Sequence, residues 1–222
     1  MKKNIGLILG FSALLIISAR LAFIAKKIEC FSQYGPCPSD LIAISQSLVG
    51  TKLFWPLPKT YAQNLFSKNS QVQSINLDRL LPSTLIVRLT FRRPAGIVAS
   101  VQGQGVVVDD SGYAFASASG VSLPILFSDH VPALGTKSPW EVTQALGVLS
   151  QIRAMYPTIS QSKLSGSRLD FSLPPINSVV IDLDRLDSNW YTALQVILAR
   201  SKMTGKIPRK VDLRYSRPVL EY

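Results

Sequence analysis

Histidine is nearly missing from this sequence: His130 is the only one, and Cys30 and Cys37 are the only cysteines. A zinc site built on two cysteine pairs is excluded, and no metal cluster is expected. Charge is sparse as well. Asp, Glu, Lys and Arg make up 17% of the chain, below the usual quarter. Acidic residues are the scarcer kind, 13 against 24 Lys and Arg, for a net charge of +11. Such an excess raises nucleic acid or anionic lipid as partners. The basic residues are scattered rather than striped, however, and five of them (Lys2, Lys3, Arg20, Lys26 and Lys27) flank or sit in the first apolar segment. No nucleic-acid partner is expected. The chain has no internal repeat and no low-complexity linker.

One long apolar run is present. Ile5 to Ala25 carries a single charge, Arg20, near its end. About 20 apolar residues cross a bilayer as a helix, and an arginine near the end can snorkel. A cleaved signal peptide would have a shorter apolar region and a small-x-small site, which is not evident here. The expectation is an uncleaved single-pass anchor in the cell membrane, with the N-terminus cytoplasmic and the body outside. Basic residues on both flanks give the positive-inside rule no clear vote, so the orientation rests on the short head and long body. In such a setting Cys30 and Cys37, which bound a loop holding Gly35 and Pro36, often oxidise; the alternative is two small buried hydrophobes.

The body reads as α+β. Lys27 to Tyr34 is a candidate strand. Pro38-Ser39-Asp40 opens a helix with Leu41, Ile44 and Leu48 on its apolar face, stopped by Gly50. Pro58 starts a second helix with Tyr61 and Leu65 inward. Gln71–Leu80 alternates, with Ile75 and Leu77 inward. Beyond Leu81-Pro82-Ser83, Leu85, Val87, Leu89 and Phe91 share one face of a strand. Past Pro94 come short strands at 97–101, 105–108, 113–115 and 123–127, with a turn at Asp109-Asp110-Ser111-Gly112. Ser138-Pro139-Trp140-Glu141 reads as a capping box before a helix reaching about Tyr156. Leu169–Leu173 and Ser178–Leu183 form a hairpin through Pro174-Pro175. A last helix, from Ser188, buries Trp190, Leu194, Ile197 and Leu198 and ends before Gly205. Lys210–Tyr215 is a final alternating strand. Pro218 follows closely, and a strand running into proline suits a sheet edge.

Taken in order, several motifs resemble the FtsQ/DivIB family of bacterial cell-division proteins. Val72-Gln73-Ser74-Ile75 with Leu81-Pro82-Ser83-Thr84-Leu85-Ile86-Val87 resembles that family's hairpin. Arg92-Arg93-Pro94-Ala95 resembles its junction, with Arg92 in place of an acidic residue. Asp109 to Phe115 resembles its "D..G..F" turn, and Val211-Asp212-Leu213-Arg214-Tyr215 its "IDLR(F/Y)". The segment Glu29–Pro38 departs from the family, having a Cys-bounded loop where the family has glycine. The resemblance implies a cytoplasmic head and transmembrane anchor over 1–26, a POTRA domain (β-α-α-β-β) over 27–94, and a C-terminal mixed α+β domain with an antiparallel-rich sheet over 95–222. It implies a non-enzymatic scaffold that recruits other single-pass division proteins, of the FtsB and FtsL type, at the division septum, without cofactor. In that family the C-terminal strand region is where FtsB docks by strand addition. The residues expected to meet the partner are Lys210, Asp212, Arg214, Tyr215, Ser216 and Arg217, with Arg217 able to pair with an acidic residue.

The rival readings are weaker. Ser160-Gln161-Ser162-Lys163 matches the S-x-x-K of penicillin-binding enzymes, but no K-T-G or S-D-N partner exists, and the stretch reads as a polar loop. A Cys–His hydrolase needs an orienting group that the loop around His130 does not suggest. Asp182, Asp184 and Asp187 lack the glycine of a calcium loop, and Gly103-Gln104-Gly105 lacks the downstream glycine of a phosphate loop. A secretion or envelope-assembly factor bearing POTRA units would usually carry several of them, or a barrel.

Overall fold

The computed structural model describes residues 23–53, 58–120, 123–157, 159, 161–186 and 189–222. They fall into two compact units that meet in sequence at Arg92–Arg93. The class is α+β with two mixed sheets.

The first unit has a four-stranded sheet. Its strands are β1 (Lys27–Ser32), β2 (Gly35–Pro36), β3 (Val72–Leu80) and β4 (Thr84–Phe91), in the order β2-β1-β4-β3. β1 lies parallel to β4, with Ile28 beside Leu85 and Cys30 beside Val87, while β3 is antiparallel to β4. Two helices, α1 (Ser39–Gln46) and α2 (Lys59–Phe66), connect β2 to β3. The alternation of β4 does what a one-sided strand requires: Leu85, Val87 and Leu89 are buried, and Arg88 points to water, where it pairs with Asp78 at 2.6 Å. α2 turns differently from its sequence reading. Ala62 and Phe66 are fully buried, whereas Tyr61 is 48% exposed. A helix of two turns has few apolar positions, and the Ala62–Phe66 pair, four apart, gives the larger buried anchor.

The anchor expected over Ile5–Ala25 is not supported. Among the described residues no helix is long and apolar enough to cross a membrane. Residues 1–22 lie outside the described residues, but the end of the proposed span belongs to the folded unit. Ile24 forms a bridge with Lys52, the Ala25 N–H donates to Thr51 O at 2.9 Å, and Ala25 is 1% exposed in the core. Backbone that is paired with a neighbouring segment is not part of a continuous membrane helix. The single-pass placement in the cell membrane, with a cytoplasmic N-terminus and an exported body, is corrected with it.

The second unit has a nine-stranded sheet: β5 (Pro94–Ala99), β6 (Gly105–Asp109), β7 (Ala114–Ser117), β8 (Ile125–Ser128), β9 (Gln161–Ser165), β10 (Arg168–Leu173), β11 (Ile176–Asp182), β12 (Lys210–Asp212) and β13 (Val219–Glu221). The order is β13-β12-β11-β10-β9-β8-β5-β6-β7. The pairs β5–β8, β8–β9 and β11–β12 are parallel and the others antiparallel. The helices α3 (Trp140–Arg153) and α4 (Trp190–Thr204) join one core with Val98, Leu126, Leu164, Leu169, Phe171, Val179, Ile181 and Val211. A smaller cluster of Ile97, Ala99, Val107 and Phe115 comes from the opposite side chains of β5–β7.

Two local expectations are corrected here. The stretch read as a polar loop at Ser160–Lys163 contributes β9, a central strand; Ser162 is buried and its hydroxyl donates to Ile125 O at 3.2 Å. The capping box at Ser138 is not formed. Pro139 is the N-cap, without a side-chain cap, and the Ser138 hydroxyl has no hydrogen-bond partner among the described residues. The Ser138 N–H is instead held by Gly112 O at 2.7 Å. That contact needs Gly112, whose φ is +76° and where a Cβ would meet Thr143 Oγ1. The same turn is fixed by buried Asp109, whose Oδ1 accepts from the Ser111 N–H and hydroxyl and from the Tyr113 N–H.

Candidate partner-binding edge

The end of the nine-stranded sheet is built from short pieces. β11 is buried along most of its length, because it lies between β10 and β12. β12 adds three residues alongside it, Ser178 beside Lys210 and Val180 beside Asp212. Val211 points into the main core and is fully buried.

The strand expected over Lys210–Tyr215 stops at Asp212, and the cause is Asp212 itself. One carboxylate oxygen accepts from the Arg214 N–H at 3.1 Å and from Arg214 Nε at 2.9 Å, and the other accepts from Nη2 at 2.6 Å. A side-chain carboxylate that captures a backbone N–H two residues ahead makes a turn in competition with the ladder. The Arg214 guanidinium, by these hydrogen bonds, holds the Asp212 carboxyl below the ordinary aspartate value of 3.8, against the opposing effect of burial. Hydrogen bonding to Asp212 likewise raises the pKa of Arg214, which stays a cation. The guanidinium also lies 5.6 Å from the centre of the Tyr215 ring.

The six residues expected to meet a partner therefore divide. Lys210 and Asp212 are in the strand, Asp212 being buried. Arg214 is half-buried and committed to Asp212. Tyr215, Ser216 and Arg217 are exposed in the turn that follows. β12 is not an open edge. Its outer side is paired antiparallel with β13, Lys210 opposite Glu221, Val211 opposite Leu220 and Asp212 opposite Val219. The outermost strand is β13, which the sequence reading missed. Val219-Leu220-Glu221 sets two apolar residues side by side, so no alternation marks it, and three residues are too few to establish a period. β13 is thinly attached: Val219 is 54% exposed, and the ion pair between Lys210 and Glu221 spans 3.8 Å in solvent.

The other candidate groups do not assemble. Cys30 and Cys37 are joined to each other, with Cα atoms 5.4 Å apart, which tethers β1 to the chain just after β2. Neither is a thiol beside His130. That histidine lines a shallow depression with Ser128, Asp129, Pro139 and Glu141. Among the described residues no three His, Cys, Asp or Glu side chains come together as a metal site. Asp182 caps a 3-10 turn at Leu183–Arg185 by accepting from the Asp184 N–H, so the two aspartates do not share a strand face; Asp187 lies outside the described residues. Of the S-x-x-K stretch, Ser160 also lies outside them. Ser162 and Lys163 point to opposite sides of β9, Ser162 buried and Lys163 exposed. No family model matches the chain, and no curated protein matches it.

Proposed function

We propose that this chain works by binding other proteins, as a scaffold of the FtsQ/DivIB type that recruits cell-division proteins of the FtsB and FtsL kind by strand addition. The observation that carries this reading is the end of the large sheet. Two three-residue strands, β12 and β13, follow one another at its margin, and the outer one is mostly exposed. A sheet margin of this sort offers backbone donors and acceptors to an extended segment, with alternating side chains to select it. Apart from the two-residue β2, the first unit follows the order strand, helix, helix, strand, strand that the resemblance implies, which supports the reading, as does the turn at Asp109–Gly112 early in the second. A scaffold needs surfaces rather than a reactive centre.

Imaging a fluorescent fusion in dividing cells tests the proposal. Accumulation at midcell as constriction begins is the expected result. An even distribution at every stage of division would overturn it.

A further inference from the structure

We propose that the loop closed by Cys30 and Cys37 is a thiol-responsive latch on the end of β4: the disulfide sets Gln33 against Phe91, and reduction by a dithiol releases it. The inference is independent of what the chain binds. It concerns the last residue of β4, the root of the connection that joins the two units at Arg92–Arg93.

Gln33 stands in for a stretch of strand. β1 runs parallel to β4, and its register ends with Ser32 beside Leu89. A β1 that continued would set the backbone of Tyr34 beside Phe91. The chain instead turns back at Gly35, whose φ of +119° suits glycine. The Gln33 side chain then meets both backbone groups of Phe91. The Phe91 N–H donates to Gln33 Oε1 at 2.9 Å, and Gln33 Nε2 donates to Phe91 O at 3.0 Å. A primary amide carries the donor and the acceptor of a peptide unit, so one side chain completes the ladder. Tyr34 lays its ring along that of Phe91, with centroids 6.5 Å and planes 12° apart.

The disulfide is what holds Gln33 there. β2, the outermost strand, is only Gly35–Pro36, and Pro36 has no N–H to give the hairpin. The Cys37 N–H donates to Cys30 O at 3.1 Å across the base of the loop. Within the turn, the Ser32 hydroxyl donates to Gly35 O and accepts from the Tyr34 N–H. A hairpin of this length is marginal by itself. The bond between Cys30 and Cys37 fixes both of its stems, one of them seated beside Val87 in the sheet.

The coupling runs both ways. Cys30 is 8% and Cys37 5% exposed, so a thiolate reaches a sulfur only when the loop opens, and the Gln33 contacts oppose opening. The latch protects the bond by the same factor that the bond strengthens the latch. The reductant is a dithiol, as in oxidoreductases of the Cys-x-x-Cys class. Its thiolate attacks one sulfur of the pair, and the other sulfur leaves and takes a proton. The reductant's second thiol then resolves the mixed disulfide, which leaves Cys30 and Cys37 as thiols and the reductant as a disulfide.

Amide hydrogen exchange of the full chain, with and without dithiothreitol, tests the latch, with thiol titration to confirm reduction. The Phe91 amide is expected to exchange about tenfold faster on reduction, the scale set by one or two hydrogen bonds. The Arg92 amide, which donates to Gln71 O on the other side of β4, and those of Leu85–Val87 should keep their rates. Gln33→Ala, at an exposed position, should exchange at Phe91 at least as fast before reduction as the parent does after it. Its disulfide should also shift toward the thiols, at a given dithiothreitol concentration, by the factor that reduction costs the parent's latch. Unchanged Phe91 exchange on reduction would overturn the proposal. So would a rise along the whole of β4, which would make the bond a staple of the unit rather than a latch, or a Gln33→Ala disulfide as resistant to dithiothreitol as the parent's.

Discussion

Asp212 shows how one side chain decides where an element ends. Its carboxylate accepts the N–H and guanidinium of Arg214, and the strand ends three residues before the expected Tyr215. The folded carboxyl binds a proton less readily than the unfolded one. The stability from this contact is therefore complete above the unfolded value near 3.8 and is lost as pH falls through the lower folded value. Asp212→Asn should lower stability at neutral pH and flatten the decline below pH about 4. Urea unfolding midpoints of the two proteins between pH 2.5 and 7 check this; parallel curves would show that Asp212 does not couple to folding. In the letters Val211-Asp212-Leu213-Arg214-Tyr215 alternation favours a strand continuing to Tyr215, and nothing in them marks Asp212 as its end. Which of two local options a carboxylate takes depends on whether burial beside β11 makes its unpaired state costly.

At the scale of elements, the strands with one buried side were the most legible. Leu85, Val87 and Leu89 stand at period two because β4 has the helices on one side and water on the other. β9 was hidden because its letters, Gln161-Ser162-Lys163, are polar. Its place between β8 and β10 comes from backbone pairing, and Ser162 is tolerated inside because Ile125 O accepts its hydroxyl. α2 was found but turned by one residue. That rotation carries a direct test. Phe66→Ala should cost about 3–5 kcal/mol and Tyr61→Ala under about 0.5 kcal/mol. Thermal or urea unfolding of each variant measures it, and equal costs would restore the face with Tyr61 and Leu65 inward.

Across the whole molecule, each main core lies inside one unit. Ile28, Leu41, Phe66 and Leu85 belong to the first, and Leu126, Leu149, Leu169 and Phe171 to the second. Leu85→Ala should therefore cost the first unit about 2–5 kcal/mol and speed exchange of β4 amides, leaving those of Val179–Ile181 as they were. Leu169→Ala should do the reverse. Exchange that rises in both units for either variant would mean that the cores respond as one. The apolar run at Ile5–Ala25 belongs to this scale too. A window of hydropathy weighs residues without their neighbours, and so it could not register that Ala25 is held against Thr51.

What the sequence determined by itself was the coarse class, α+β: alternating runs and helical stretches with one apolar face are local patterns, each set by which face is buried. Having two cysteines in all, the sequence likewise leaves no room for a zinc site built on two cysteine pairs. The tertiary structure decided the margin of the large sheet. Whether β12 is an edge depends on a three-residue strand that returns from beyond Pro218, and that pairing is made by backbone groups common to every residue. Backbone hydrogen bonds leave no mark in the alphabet, so the occupant of an edge is legible only once the chain has closed on itself.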